Sequence, residues 1–247
     1  MRAVAERAGT RPGGAVRVLA VSDEVDEGLL ANASQARSAQ LIVACGDLPA
    51  EYLGALMDML DVPLVFVPGN HDPDQSGYRI SRTGLVTRAG FPARPPWPAG
   101  ALNADGRVAD VAGLRIAGLG GCLRYREGPN QYTERQQARR ARALRRRARW
   151  HWLRDRRRVD VLLTHAPPRN VGDGDDPAHR GFGCYHALTA GLTVPVLLHG
   201  HVHPYGAVPP PLRLGPTAVR NVTGWHLFDL GPGREPAEII PGHRHAC

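Results

Sequence analysis

The stretch Leu64 to Asp72, LVFVPGNHD, restricts this chain more than any other. Leu64, Val65, Phe66 and Val67 make the apolar run of a strand buried on both faces, and Pro68 and Gly69 break it sharply. Asn70, His71 and Asp72 then fall on a turn past the strand's carboxyl end. Open α/β sheets bind ligands there, because the strand holds the turn rigid while the turn stays outside the ladder. A neutral oxygen donor, an imidazole and a carboxylate in succession suit metal chemistry. A lone triplet of this kind would instead be a polar turn bonded to its own backbone.

The triplet is not alone. Val16 to Val21 runs into Ser22-Asp23, Leu41 to Ala44 into Cys45-Gly46-Asp47, and Val159 to Leu163 into Thr164-His165. Val194 to Leu198 runs into His199-Gly200-His201-Val202-His203. Five such ends on one rim would bring together Asp23, Asp47, Asn70, His165, His201 and His203. This mixed O and N donor set suits Mn, Fe or Zn, whereas Ca or Mg would take oxygens alone. Six donors are more than one ion needs. His201 and His203, two apart in extended chain, can face one site while Val202 turns away.

Taken in order, Gly46-Asp47, Gly69-Asn70-His71-Asp72, Thr164-His165 and Gly200-His201-Val202-His203 resemble the motifs of the calcineurin-like metallophosphoesterases, over roughly Val16 to Leu230. The resemblance implies two metals, with Asp47 bridging them. Asn70, His165 and His201 would complete the second site, and Asp23 and His203 would serve the first. His71 would lie over the substrate and stabilise the transition state or protonate the leaving oxygen, with Asp72 holding its ring. One position departs from the pattern. The family's first motif is Asp-x-His, and this chain has Asp23-Glu24-Val25. The first site should therefore bind weakly, its vacancy left to water or to one of Glu24, Asp26 and Glu27, of which Asp26 better suits a helix cap.

The 247 residues allow one large α/β domain, and the spread of the motifs favours one over two. Residues 1–14 read as a loose tail, 15–232 as the domain and 233–247 as a second, frayed tail whose His243 and His245 are not site ligands. No apolar run is long enough to span a membrane and no signal-type stretch opens the chain, so the expectation is a cytoplasmic protein that does not engage a membrane. Cys45, Cys122, Cys184 and Cys247 are scattered, which argues against a zinc knuckle or a disulfide framework. Cys45 reads as a small buried residue.

The net charge of +8 admits an anionic partner, nucleic acid included. Every basic residue apart from the histidines is Arg, however, a bias of the whole chain that weakens local claims. Thr133 to Arg158 holds the densest Arg run. Thr133 and Gln136 form a capping box, and Ala141, Leu144, Ala148 and Trp152 recur at helical spacing. Its Arg face could contact RNA or DNA, but a solvated outer face is the default.

Leu114 to Leu119 reads as a strand leading into a loop whose Arg124 or Arg126 can clamp a substrate phosphate or form structural salt bridges. The loop Asp173 to Phe182 places His179 and Arg180 at the site entrance, and its aspartates lack the rest of a calcium loop. Pro92 to Pro98 reads as a stiff surface connector, Pro209-Pro210-Pro211 as another break, and Thr217 to Val222 and Trp225 to Leu230 as two final strands.

The pattern is α/β, which the resemblance sharpens to a four-layer αββα sandwich of two mixed β-sheets flanked by helices. The function expected is metal-dependent hydrolysis of a phosphate ester, with a hydroxide shared by the metals and His71 at the leaving group. It leans to phosphodiesters, because Gly-Asn-His followed by Asp is common among the family's diesterases. The alternatives are a weakened scaffold of this fold that binds a protein partner, favoured by Val25, and an RNA-binding protein that uses the Arg-rich helix. Oligomeric state is not legible.

Overall fold

The computed structural model describes residues 14–81, 85–204 and 211–243. Within them the fold is two six-stranded sheets packed face to face with helices outside. The first sheet runs in the order Ala237–His243, Gly224–Leu230, Val16–Ser22, Leu41–Ala44, Leu64–Phe66 and Leu102–Asn103. The second runs Leu212–Leu214, Thr217–Asn221, Val196–His199, Val161–Thr164, Leu114–Leu119 and Val108–Val111. In each sheet the four strands that include the ligand-bearing ones are parallel; antiparallel strands close both edges of the second sheet and one edge of the first, whose other edge is the parallel strand Leu102–Asn103.

The layering follows from strands that are apolar on both faces. Val16, Val18 and Ala20 point between the sheets with Leu41, Val43, Val65, Ile116, Val161, Leu163 and Leu198. Their neighbours Leu19, Val21, Ile42 and Ala44 point outward, under Tyr52, Leu53 and Leu56 of the helix Ala50–Leu60. The second sheet's outer face is covered by the helices Glu134–Asp155 and Cys184–Leu192 through Ala141, Leu144, Ala148, Tyr185 and Leu188. Successive side chains of one strand thus serve two different cores. This is the expected four-layer mixed architecture.

The helix Glu134–Asp155 opens with the capping box read from the sequence: Thr133 accepts from the Gln136 amide and the Gln136 side chain returns to Thr133. No helix among the described residues is long and apolar enough to cross a membrane.

Two expectations need correction. The tail expected from residue 233 onward includes the strand Ala237–His243, which pairs with Gly224–Leu230 through an irregular register. Pro241 is tolerated because the strand lies at the sheet edge. The Pro92 to Pro98 connector is more than a surface spacer. Trp97 is buried within it, 6.0 Å from the ring of Phe66 and 5.3 Å from that of Tyr78. Phe91–Pro92 also belongs to a small sheet with Tyr78–Ile80 and Val86–Arg88. Residues 1–13 of the expected leading tail, Pro209, Pro210, His245 and Cys247 lie outside the described residues.

Candidate metal centre

The ligand-bearing ends come from both sheets, not from one rim: Asp23, Asp47 and Asn70 follow strands of the first, His165, His201 and His203 strands of the second. Bringing the two sets together demands unusual backbone. Asp23, Asp47 and His201 all adopt positive φ, at 63°, 57° and 69°. Such left-handed conformations in non-glycine residues cost energy and cluster at functional sites. Gly69 and Gly200 are required for a different reason, close approach. A Cβ on Gly69 would strike the Asp47 carboxylate, and one on Gly200 would strike Ser22 Oγ and Asp23 Oδ2.

Asp47, His165 and His201 offer ligand atoms that all lie within 4.8 Å of one another. Asn70 joins them, its Oδ1 3.0 Å from His165 Nε2, while Asp47 Oδ2 lies 3.3 Å from the same nitrogen. His165 Nδ1 is 2.7 Å from the Cys45 carbonyl, to which it donates, so Nε2 is the atom that faces the two oxygens. The amide of Asn70 is oriented by Tyr125, 3.5 Å from Nδ2, which leaves Oδ1 turned inward. His201 Nε2 donates to the Ala178 carbonyl at 2.7 Å and leaves Nδ1 as the free lone pair. These outer bonds set ring tautomers as they do around bound metals.

The electrostatics point the same way. Burial lowers the pKa of His165, but the charge and hydrogen bond of Asp47 outweigh it and push the value up to about 9. Burial would raise that of Asp47, yet His165 and the His71 amide bring it below the ordinary carboxylate value. His201, buried and beside His165, falls to about 3. Two oxygens and a nitrogen lone pair thus meet at a point that requires positive charge. A divalent cation fits these donors in place of the His165 proton.

Asp23 and His203 do not join that group. Asp23 Oδ2 accepts from the His201 amide at 2.8 Å, and burial holds its carboxyl above the usual range. His203 is half exposed, with Nδ1 3.0 Å from Glu24 Oε1. Of the carboxylates considered as replacements for a histidine at Val25, Asp26 caps the helix Glu27–Ala31 through the Leu29 amide and also accepts from Trp225 Nε1. Glu27 is exposed in that helix's first turn. Glu24 is the one that touches a candidate ligand.

The ring of His71 is exposed, and its amide donates to Asp47 Oδ1 at 2.8 Å. Asp72 does not hold that ring as expected. Its Oδ2 accepts from the amides of Gly69 at 2.7 Å and Asp47 at 3.2 Å, because a buried carboxylate beside two unpaired N–H groups satisfies the turn. Burial, the largest influence, raises its pKa to about 6.

Arg124 is exposed and reaches the Gln131 carbonyl and Gln136, and Arg126 lies over the Tyr125 ring at 5.3 Å. His179 sits 5.5 Å from the His201 ring and bonds Asp176, while Arg180 reaches the Asp175 carbonyl. Tyr125 and Asn130 escaped the sequence reading. Asn130 Nδ2 donates to the carbonyls of Gly69 and Asp72 and so clamps the turn. Its only signal in the sequence is its place in the stretch Gly128-Pro129-Asn130, just ahead of the Thr133 cap.

A family model for the calcineurin-like phosphoesterases matches residues 17–205. No curated protein matches. Among solved structures, one at 15% identity covers 92% of this chain and 100% of its own, with a TM-score of 0.59. TT1561 of Thermus thermophilus, at 17% identity, covers 92% of this chain and 99% of its own with a TM-score of 0.57. At these identities the likeness speaks for the fold.

Proposed function

Since the chain belongs to the calcineurin-like phosphoesterases, we propose that it hydrolyses a phosphodiester with two divalent ions, Mn, Fe or Zn, one held firmly and one weakly. The observation that carries this is the convergence of Asp47 Oδ2, Asn70 Oδ1 and His165 Nε2, with His201 alongside. These four residues hold the firm ion. Asp23, Asp47 and His203 hold the weak one, with Glu24 supplying the donor that Val25 lacks.

Bound metals supply Lewis acidity toward phosphoryl oxygens and a nucleophile drawn from water near neutral pH. The chain's own residues do the rest. His71, exposed beside Asp47, carries a proton to the leaving oxygen as the ester P–O bond breaks, and water's remaining OH stays on phosphorus. Asp72 and Asn130 fix the turn from which His71 projects. His179 and Arg180 border the entrance, and Arg126, seated on Tyr125, reaches toward an oxygen of the substrate.

The test pairs metal analysis with hydrolysis of bis(p-nitrophenyl) phosphate and of p-nitrophenyl phosphate, with and without added Mn. Diester turnover that exceeds monoester turnover and rises with Mn supports the reading. Metal-loaded protein inert toward both esters would favour the alternative, a protein-binding scaffold, for which the exposed Val25 is the specific observation.

A further inference from the structure

A cavity of about 390 Å³ lies behind the turn that presents Asn70 and His71. Pro68 and Asn130 form part of its wall, but none of the proposed metal ligands does. Its volume is within the range of small-molecule sites.

Most charges along this wall are already matched. Arg140 is paired with both carboxylate oxygens of Asp105 and lies 4.0 Å over the Tyr132 ring. Asp74 accepts from Ser76 and Arg88. Gln75 and Asn103 bond each other at 2.6 Å. Two cations are left over. Among the described residues Arg124 has only the Gln131 carbonyl at 3.3 Å and the Gln136 oxygen at 3.4 Å, both neutral and long, and Gln136 is already engaged by Thr133. Arg107 also lines the cavity, and its guanidinium has no hydrogen bond or ion pair among the described residues. The same cavity has aromatic wall from Tyr78 and Trp97, packed edge to face.

We propose that this cavity is a binding site for a small oxyanion attached to a flat ring, with Arg107 and Arg124 holding the oxyanion and Tyr78 and Trp97 receiving the ring. Two unspent guanidinium forks match a phosphate or carboxylate group, which accepts several N–H donors at once. The aromatic edges favour a planar apolar attachment over a hydrated chain. The anion has two sources, the far end of the ester acted on at the metal centre or a separate metabolite.

Phenyl phosphate is the probe, titrated by calorimetry into full-length protein stripped of metal with EDTA, with inorganic phosphate and phenol as partial probes. The expected order of affinity is phenyl phosphate, then phosphate, then phenol. Arg107→Ala and Arg124→Ala should each weaken phenyl phosphate about tenfold or more, Arg124→Lys less, and Asp47→Ala should leave it unchanged. Circular dichroism checks that each variant folds. Absence of binding, or binding lost in Asp47→Ala but kept in folded Arg variants, would overturn the proposal, the latter by placing the anion at the metal centre. With the source as the question, Mn-loaded Arg107→Ala is compared with the parent protein on diesters. A KM raised for ring-bearing diesters that carry a second anionic group, with kcat unchanged, assigns the cavity to the substrate. An unchanged KM with phenyl phosphate binding still lost in the variant assigns it to a separate ligand. This site does not depend on the phosphodiesterase reading, since its binding is measured without metal.

Discussion

The two halves of the ligand cluster are built differently. Asn70, His165 and His201 are buried, and each is oriented by a second partner: Tyr125, the Cys45 carbonyl and the Ala178 carbonyl. Across Asp47 and Asp23, His203 is 46% exposed in its side chain and leans on Glu24, while Val25 stands in solvent where the family carries a histidine. A half whose donors are buried and oriented before an ion arrives would lose little entropy on binding, and a half with exposed donors would have more to order. The difference teaches that, on the proposed reading, one missing histidine would weaken more than one bond, because its neighbours would lose a reason to be ordered.

The harshest way to break the comparison is Asp47→Ala. Its carboxylate faces His165 with one oxygen and the His71 amide with the other, so both ions and all hydrolysis should be lost, read by elemental analysis and turnover. Asn70→Ala should cost only the firm ion. Equal loss in the two variants would remove the distinction between the halves. His71→Ala is next: turnover should fall roughly 10²–10⁴-fold, the range of general acid–base groups, with metal content unchanged. Loss of metal in that variant would make His71 structural.

Asp72→Ala should act on the firm half through the backbone, because it frees the amides of Gly69 and Asp47. A weakening of metal affinity by about 10–100-fold, typical of outer-shell partners, is expected. The mildest changes sharpen the weak half. Dialysis should remove one ion and retain the other, and Glu24→Gln should make the first ion leave sooner, by under about tenfold. Val25→His should slow its loss, since residue 25 is exposed and a larger ring has space. Two ions that both survive prolonged chelation in the unaltered chain would show the halves to be equal.

Much of this was legible because the strands are apolar on both faces and end at glycine or a charged residue, so Leu41–Ala44 and Leu114–Leu119 were placed without error. The strand Ala237–His243 was not, because Pro241 and Gly242 carry the signature of a break and only an edge position makes them acceptable. The candidate ligands could be read from their order along the chain. Their grouping could not: that His203 turns to Glu24, or Asp72 to the Asp47 amide, depends on distances between segments far apart in sequence. Tyr125 and Asn130 went unseen for the same reason, since their partners lie more than fifty positions away.

The cluster draws on both sheets, and this would give a bound ion a mechanical role. Asp47 and Asn70 come from one sheet, His165 and His201 from the other, and between the sheets lies an apolar core. An ion held by all four is a rivet at the open rim of that sandwich. Because it binds the folded chain and not the unfolded one, each tenfold rise in free metal above the dissociation constant adds about 1.4 kcal/mol to the cost of unfolding. On the proposed reading the melting temperature would become a gauge of metal supply, and in metal-poor surroundings the chain would loosen first at that rim.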